Sequence, residues 1–579
     1  MDLVAPVASR VAAMPVRTGD HVAAGDPIVI LEVMKMEHVV VAPVAAVVVA
    51  LEVAVGDAVQ AGTRLATLEE RSDLGVDPVH SDNTPNTALD ELRRRHELTL
   101  DAARPETVAR RHQSGHRTAR ENVVELCTDF VEYGPLVIAA QRGRRPVEEL
   151  MRRTPADGMI GGIGRIATET DGDDRAIVVS YDYTVLAGTQ GMQNHRKKDR
   201  LFTLAAETGL PVVLFAEGGG GRPGDVDWPG VSLLDGPAFR LFAEIRGPTI
   251  GVNNGFCFAG NAALLGQCDV IVATPDSNLG MGGPAMIEGG GLGVVEPTEI
   301  GPAAAQASNG VIDFLADDDT AAISAVKSLL GYTRGRAAVA IEPDQTRLRT
   351  LVPENRRLLY DMRAVISALV DMNSFVELRR EFGRAAITGL GRIDGRPIGV
   401  IANDPAHLAG AIDHEAATTL ARHQRLCNRW GIPILSLCDT PGFMVGPEAE
   451  LEGLVRSAGD LFRVAAELKV PLGTVVTRRG YGLGAMAMAA GGFHEPRFVV
   501  GWPSSEFGAM GLEGAVRLGF KRELDAIDDP NDRAREQERR VDELYEIGKG
   551  ANVASHFEID DVIDPADTRR WILTALIDR

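Results

Sequence analysis

An internal repeat in the first 70 residues constrains the fold more than any other feature of the chain. APVA at 5–8 recurs at 42–45, and VxxGDxVxAGxxxxxxE at 16–32 recurs at 53–69, in both cases 37 residues later. Alternating apolar positions between Gly-Asp and Ala-Gly turns are typical of short strands. We therefore expect two similar four-stranded halves that close on each other as a small all-β sandwich over 1–70.

The connection between the two halves has the sequence EVMKMEHVV, and it places Lys35 on an exposed hairpin tip. An isolated Met-Lys-Met by itself favours a solvated surface lysine between two core methionines. In its context between matching halves, the segment resembles the biotinyl and lipoyl carrier domains and matches their biotin-bearing version. The resemblance implies covalent biotin on Lys35, attached by a biotin protein ligase and flanked by Met34 and Met36. Residues 71–95 are polar and rich in Pro, Asn, Ser and Asp, which predicts a flexible linker.

A second, looser duplication covers 96–579. Three segments recur in order at similar spacings, and they are 162–166 with 389–393, 207–221 with 429–443, and 274–283 with 502–511. Apolar β-type runs alternate with helical stretches in both copies, which predicts crossover connections over a sheet. We therefore expect two tandem α/β domains, at 96–340 and 341–579.

Each copy contains a strand-like run that leads into a glycine-rich loop and then a helix of small residues. The sequences are GFCFAGNAALLGQC in the first copy and RGYGLGAMAMAAGG in the second. Small residues allow close backbone approach, and a helix N-terminus presents free N–H groups and the positive end of its dipole. Two such loops suit a reaction in which two different oxygens become negatively charged.

The second part of the chain resembles the carboxyltransferase component of acyl-CoA carboxylases, whose two halves have the crotonase fold. RIDGRPIGVIAND at 392–404, IPILSLCDTPGFMVG at 432–446, RRGYGLGAMAM at 478–488 and YDYTVLAGTQGMQNHRKKDRL at 181–201 carry this resemblance. It implies that carboxybiotin releases CO₂ while amides of the C-half hold the ureido oxygen. The freed biotin nitrogen then removes the α-proton of acyl-CoA, amides of the N-half hold the enolate oxygen, and the enolate attacks CO₂.

When the family's functional positions are carried over to this sequence, the resemblance implies that backbone amides in both halves bind the oxyanions. The N-half pocket falls on Ala259 and Gly260, and the C-half pocket falls on Leu483 and Gly484. Many relatives have Gly-Gly or Gly-Ala at such positions, so each assignment could shift by one residue. Asn261 and Gly482 are the neighbours to which it would shift. Gly482 would also border biotin.

Two further residues of the C-half have a second interpretation. Met486 corresponds to a position that lines the acyl pocket, although an ordinary core methionine would show the same pattern. Arg456 could pair with a phosphate or with the product carboxylate, and a salt bridge on the helix surface is an equal alternative.

The charge and hydrophobicity of the sequence limit which kinds of molecule it is expected to bind. The formal charge of −21 disfavours nucleic acid and anionic membranes, and no apolar run reaches the length of a membrane span. Five scattered cysteines without CxxC spacing indicate neither a disulfide framework nor a metal site. The N-terminus lacks a secretory leader, which favours the cytoplasm.

The resemblance also implies an oligomer, a hexamer in the family, with acyl-CoA as substrate of undetermined chain length and a separate biotin carboxylase subunit. A biotin-dependent decarboxylase or transcarboxylase component, and a non-catalytic carrier scaffold that binds acyl-CoA, remain alternatives.

Overall fold

The computed structural model describes residues 1–71, 87–170, 172–222, 224–227 and 236–577. The chain divides into two compact units, Met1–Arg93 and Arg94–Arg579. Most of the predicted linker, residues 72–86, lies outside the described residues. Within the described residues, no helix is both long and apolar enough to cross a bilayer.

The first unit contains two four-stranded antiparallel sheets, with strand orders β1-β8-β6-β3 and β5-β4-β2-β7. Val11 and Leu31 of one sheet and Val48 and Leu65 of the other are buried in one core. The strands are β1 Asp2–Val4, β2 Ser9–Ala13, β3 His21–Val22, β4 Pro27–Val33, β5 Met36–Val41, β6 Ala46–Leu51, β7 Ala58–Val59 and β8 Arg64–Glu70.

The 37-residue repeat is visible in the hydrogen bonds of this unit. The Gly19 amide donates to the Val48 carbonyl, and the Gly56 amide donates to the Val11 carbonyl. Each bond therefore joins the two halves. The two bonds are equivalent, because Gly56 lies 37 residues after Gly19 and Val11 lies 37 residues before Val48. Both glycines have positive φ, which the tight turns require. The predicted pair of four-stranded halves is confirmed.

The second unit contains two larger mixed sheets. The first has the order β17-β15-β13-β12-β11-β10-β9, and only the pairs β11-β10 and β10-β9 are antiparallel. Its strands, with the separate parallel pair β14-β16, are β9 Thr128–Glu132, β10 Met159–Arg165, β11 Arg175–Tyr181, β12 Val212–Phe215, β13 Thr249–Asn253, β14 Phe256–Phe258, β15 Val270–Ala273, β16 Asn278–Gly280 and β17 Phe314–Leu315.

The second sheet has the order β18-β19-β20-β21-β22-β23-β25, and β24 also pairs with β22. From β20 onward its neighbours are parallel. Its strands are β18 Val376–Leu378, β19 Ala386–Ile393, β20 Arg396–Asn403, β21 Ile434–Thr440, β22 Leu472–Tyr481, β23 Val499–Gly501, β24 Glu506–Gly508 and β25 Asp561–Val562.

The described residues also form α-helices, several of which connect the parallel strands of the two sheets. They are α1 Thr87–Glu97, α2 Pro105–Gln113, α3 Ala119–Leu126, α4 Val147–Arg153, α5 Met192–Thr208, α6 Ala238–Ala243, α7 Gly260–Leu265, α8 Pro284–Gly289, α9 Ala303–Ser308, α10 Asp319–Gly331, α11 Leu348–Leu351, α12 Met362–Leu369, α13 His414–Trp430, α14 Pro447–Leu451, α15 Leu454–Ala466, α16 Gly482–Met488, α17 Leu512–Gly519, α18 Lys521–Asp525, α19 Pro530–Gly548, α20 Gly550–Ser555 and α21 Thr568–Trp571.

Helices α5 and α13 show how closely the two sheets correspond. Both have 17 residues, their first residues are 222 positions apart, and both end at a left-handed glycine, Gly209 or Gly431. Such a glycine is a common helix stop because it adopts positive φ without a Cβ clash. The helices therefore occupy equivalent crossovers, between β11 and β12 in one sheet and between β20 and β21 in the other.

The two sheets share a hydrophobic core and a buried ion pair. One continuous cluster includes Val213 from β12 and Ile434 from β21. Asp313 accepts hydrogen bonds from the guanidinium groups of Arg379 at 2.6 Å and Arg422 at 3.1 Å. The boundary expected at residue 340 lies between the two sheets, but both sheets belong to one compact unit.

Candidate active site

Lys35 lies in a two-residue hairpin turn between β4 and β5. Met34 and Lys35 both have positive φ, at 51° and 68°, and Val33 pairs with Met36 across the turn. Two consecutive left-handed residues make the type I′ geometry that matches the twist of the flanking strands. The turn presents the lysine to solvent at the tip of the hairpin, as the repeat predicted.

The two methionines beside Lys35 are not core residues. Met34 is 94% exposed and Met36 is 73% exposed. The interpretation of Met-Lys-Met as a surface lysine between core methionines is therefore wrong. Two large apolar side chains exposed to solvent are unusual unless something binds them. A covalent group on the lysine, or a protein that recognises this segment, would explain their exposure.

In the N-half, β14 leads directly into α7 through Ala259. Ala259 has φ 52° and ψ −121°, and its amide donates to the Gly280 carbonyl at 3.1 Å. The amides of Gly260 and Asn261 have no hydrogen-bond partner among the described residues, as expected for the first turn of a helix.

In the C-half, β22 leads into α16 through Gly482, which has φ 57°. The amides of Leu483 and Gly484 likewise have no hydrogen-bond partner within the described part of the chain. A Cβ on Gly484 would lie 2.7 Å from the Gly442 Cα, so this helix start packs directly on the backbone of the 440–443 loop.

Comparison of the two loops corrects the register expected for the N-half. Ala259 and Gly482 are equivalent, because each has positive φ and each follows the last paired residue of its strand, and two unpaired amides follow each of them. The pair equivalent to Leu483 and Gly484 is therefore Gly260 and Asn261. The assignment of Ala259 as an amide donor is wrong because its N–H is already bonded to Gly280.

Each half has a second loop with unpaired amides that was not predicted from the sequence. Leu186-Ala187-Gly188 and Leu408-Ala409-Gly410 are an identical tripeptide, 222 residues apart, and both Leu-Ala pairs have φ between 48° and 54°. Non-glycine residues with such φ are uncommon and concentrate at functional sites. The amides of these Leu and Ala residues have no partner among the described residues. The repeated Leu-Ala-Gly at the spacing already found for α5 and α13 was the available signal.

The Leu-Ala-Gly loops pack against the loops that precede α7 and α16. In the N-half, the Asn261 side-chain amide donates to the Gly188 carbonyl at 3.2 Å. In the C-half, the Ile412 amide, just after the loop, donates to the Gly442 carbonyl, and Gly442 in turn contacts Gly484. Each half therefore brings two sets of unpaired amides close together.

A buried acid ends the neighbouring strand in both halves. Glu217 accepts two hydrogen bonds from Arg111, at 2.9 and 2.5 Å, and burial raises the pKa of its carboxyl to about 7 against the opposing effect of that arginine. Asp439 accepts from Tyr360 at 2.9 Å, Arg478 at 3.1 Å and Arg479 at 2.6 Å. Arginines hold both acids, and the backbone carbonyls of Glu217 and Asp439 pack against Gly188 and Gly410 of the Leu-Ala-Gly loops.

The two further C-half residues lie on the surface. Met486 is 39% exposed, whereas Met488 on the same helix is fully buried, so Met486 is not an ordinary core methionine. Arg456 on α15 is exposed and forms no ion pair among the described residues, so the alternative of a surface salt bridge is not observed. Both remain available to a ligand, and their roles stay predictions.

Known families match both units of the chain. The carboxyl transferase domain matches residues 110–577. The chain belongs to the carboxyl transferase family. A biotin-requiring enzyme domain matches residues 3–68. This carboxyl transferase therefore acts on acyl-CoA and carries its own biotin domain, with biotin attached covalently.

Similar proteins are known in sequence and structure. The methylmalonyl-CoA carboxyltransferase 12S subunit of Propionibacterium freudenreichii subsp. shermanii is 31% identical over 489 residues, covering 81% of this carboxyl transferase and 90% of the relative. The biotin-dependent long chain acyl-coenzyme A carboxylase beta4 subunit of Mycobacterium tuberculosis (strain ATCC 25618 / H37Rv) is 31% identical over 505 residues, covering 84% and 93%.

A solved single-chain, multi-domain long-chain acyl-CoA carboxylase is 49% identical, with a TM-score of 0.81. It covers 99% of this carboxyl transferase, which spans only 56% of that protein's length. The transcarboxylase 12S structure, described as a hexamer assembly with methylmalonyl-CoA bound, is 29% identical, with a TM-score of 0.74 and coverage of 86% and 96%.

Proposed function

We propose that the two loops hold the two oxygens that become negatively charged during carboxyl transfer to the α-carbon of acyl-CoA. The amides of Gly260 and Asn261 hold the thioester oxygen of acyl-CoA, and those of Leu483 and Gly484 hold the ureido oxygen of biotin. The proposal rests on one observation: two backbone amides without a hydrogen-bond partner among the described residues follow Ala259, and two more follow Gly482 at the equivalent place.

The loops themselves favour amides over side-chain acids and bases. Residues 256–265 and 480–488 contain no His, Asp or Glu. Biotin bound at Lys35 supplies the carboxyl group and a basic nitrogen, so this chain needs to orient the substrate and stabilise charge. Preorganised N–H groups do this without reorganisation, and one such donor is worth roughly 10²–10³ in rate.

We propose a long-chain acyl-CoA as the substrate. The single-chain long-chain carboxylase shares 49% identity, against 29% for the transcarboxylase 12S structure. The half-exposed Met486 at the C-half loop then borders the acyl chain, and the exposed Arg456 pairs with a phosphate or with the product carboxylate. Rates with acetyl-, propionyl- and palmitoyl-CoA test this, and a preference for acetyl-CoA would contradict it.

We propose that a separate biotin carboxylase subunit loads the biotin, and that the protein works as a hexamer of tandem crotonase-like halves. The two family matches, at 3–68 and 110–577, cover the carrier and the transferase, and several relatives are named as carboxyltransferase or beta subunits of acyl-CoA carboxylases. The hexamer described for transcarboxylase 12S supports the assembly. Reconstitution with a biotin carboxylase and sedimentation of the product test both points.

A transcarboxylase reaction is the second candidate, because the methylmalonyl-CoA carboxyltransferase 12S subunit covers 81% of the chain. In that case an acyl-CoA already carrying a carboxyl group would be the donor. Transfer from methylmalonyl-CoA to a second acceptor without ATP would favour this candidate, whereas strict dependence on ATP and a biotin carboxylase would favour the first.

Attachment of biotin to Lys35 has a direct test. Protein expressed with a biotin protein ligase should gain the mass of one biotinyl group, and the Lys35→Arg variant should not. Arginine keeps the charge but lacks the ε-amine that forms the amide bond. The side chain is exposed, so thermal unfolding should not change. Biotin on the Lys35→Arg protein would show that another lysine is the acceptor.

A further inference from the structure

The N-half contains a buried polar pair beside its oxyanion loop. Lys198 on α5 is fully buried, and its ammonium donates to the Gln190 side-chain oxygen at 3.0 Å. Gln190 itself is only 5% exposed, and its backbone is fixed because its amide donates to the Gly220 carbonyl and its carbonyl accepts from the Arg222 amide.

The C-half has apolar residues at the equivalent positions. At the 222-residue spacing that relates α5 to α13, Gln190 corresponds to Ile412 and Lys198 corresponds to Leu420. Both C-half residues are fully buried in the shared hydrophobic core. The fold therefore accommodates an apolar pair at this place, and the polar pair is particular to the half that faces the thioester.

The Gln190 side chain lies against Gly260. Its nitrogen, carbon and oxygen are 3.1 to 3.2 Å from the position that a Cβ on Gly260 would occupy. A lysine ammonium can only donate, so the oxygen of the Gln190 amide must face Lys198 and its NH₂ group must face away. That NH₂ group has no hydrogen-bond partner among the described residues.

Both groups are unfavourable for folding alone. A buried donor without a partner lowers stability, and a buried charge without an opposite charge lowers it further. Lys198 has no carboxylate within ion-pair distance in the described part of the chain, and burial lowers its pKa to about 7. A role that appears only when negative charge develops nearby accounts for their presence.

We propose that Gln190 is a third donor of the N-half oxyanion pocket, whose NH₂ group contacts the thioester oxygen of acyl-CoA, and that Lys198 is the residue that positions it. Lys198 fixes which end of the amide faces Gly260, and its charge polarises the amide toward the substrate. The inference rests on the proposed function, because it requires the thioester oxygen to lie at Gly260.

Three variants test the pair in the reconstituted enzyme, with the acyl-CoA that wild type carboxylates fastest. Gln190→Leu should lower kcat by about 100-fold with little change in KM, because the donor acts on charge that develops in the transition state. Lys198→Met should lower kcat by less. The double variant should match Gln190→Leu, because Lys198 acts through Gln190.

Folding and substrate binding are measured on the same proteins. The variant Gln190→Ile/Lys198→Leu copies the C-half pair, so it should unfold at or above the wild-type temperature and bind acyl-CoA by calorimetry while showing the loss in kcat. Gln190→Glu keeps the shape but places a negative charge beside the oxygen, so it should be slower than Gln190→Leu.

The outcomes separate the two proposals. Wild-type kcat in Gln190→Leu, or fully additive losses in the double variant, would overturn the roles of Gln190 and Lys198 and leave the proposed function intact. Losses of activity that only follow losses of thermal stability would assign the pair a structural role. An inactive wild-type enzyme that still binds biotin and acyl-CoA would instead overturn the proposed function.

Discussion

Ala259 and Gly482 both have positive φ, at 52° and 57°, immediately before the two pairs of unpaired amides. The conformation turns the chain from a strand into a helix and leaves the first helical N–H groups open. Alanine tolerates this φ less well than glycine, at a cost of roughly 1–3 kcal/mol. Its presence at 259 indicates that the geometry of the turn is held by the surrounding structure.

Removal of a single amide should test the C-half pocket. Leu483 is 61% exposed and lies at the helix start, where proline fits and its missing N–H breaks no helical bond. Gly482 before it is free of the restriction that proline places on the preceding residue. Leu483→Pro should lower kcat by roughly 10²–10³, whereas Leu483→Ala, which keeps the amide, should stay near wild type. Equal activities of the two variants would contradict the role of this amide.

Substitution of Gly484 should disturb the contact between the two C-half loops. The added Cβ would lie 2.7 Å from the Gly442 Cα, so the backbones must separate, at a cost of about 1–3 kcal/mol. Gly484→Ala should therefore lower the free energy of unfolding in urea and reduce carboxylation. Gly459→Ala on α15 is the control, since a Cβ there meets open space and should stabilise the helix by up to ~1 kcal/mol.

Two methionines on α16 distinguish an acyl-binding side chain from a core side chain. Met486→Ala should change the ratio of kcat/KM between propionyl-CoA and palmitoyl-CoA while leaving the thermal unfolding temperature unchanged, because Met486 is half-exposed. Met488→Ala should cost about 2–5 kcal/mol of unfolding free energy through the cavity it leaves, with the ratio unchanged. An unchanged ratio in Met486→Ala would remove this residue from the acyl site.

The buried His423 should make the protein less stable in acid. Burial, and next the charge of Arg379 at 3.3 Å, lower its pKa from 6.5 to about 3. Below pH 6.5 the unfolded chain takes up a proton that the folded chain does not, so the unfolding free energy falls by up to about 1.4 kcal/mol per pH unit until pH 3. Asp313 and Arg422 complete the charged groups of this cluster.

The slope of unfolding free energy between pH 6.5 and 4.5 measures this contribution. His423→Gln should flatten it by about one proton, and the exposed His556→Gln should serve as the matched control. An unchanged slope in His423→Gln would show that other groups cause the acid sensitivity.

The sequence was most informative where a repeat determined the geometry. The 37-residue repeat predicted the sandwich and the position of Lys35, because strand pairing and turn residues are local properties that both copies record. The repeat in the larger unit likewise predicted alternating strands and helices. These are the features that period and turn chemistry control.

Two features of the site could not be predicted from the sequence. They are the register of the N-half amides and the contact between Gln190 and Lys198. Whether the Ala259 amide is free depends on its bond to Gly280, 21 residues away, and no local pattern shows that bond. The environment of Lys198 likewise depends on burial by distant elements. The Leu-Ala-Gly loops could have been found, since their repeat is exact, but a tripeptide of small and apolar residues shows no chemistry until its φ angles are known.

The 222-residue spacing persists without interruption from the Leu-Ala-Gly loops through α5 and α13 to the buried acids Glu217 and Asp439. Outside this stretch the spacing changes, to 227 at 162–166. Within it the two halves have the same number of residues, while matched side chains differ, as Gln190 and Ile412 do. One backbone frame of fixed length therefore carries a polar pair in one half and an apolar pair in the other.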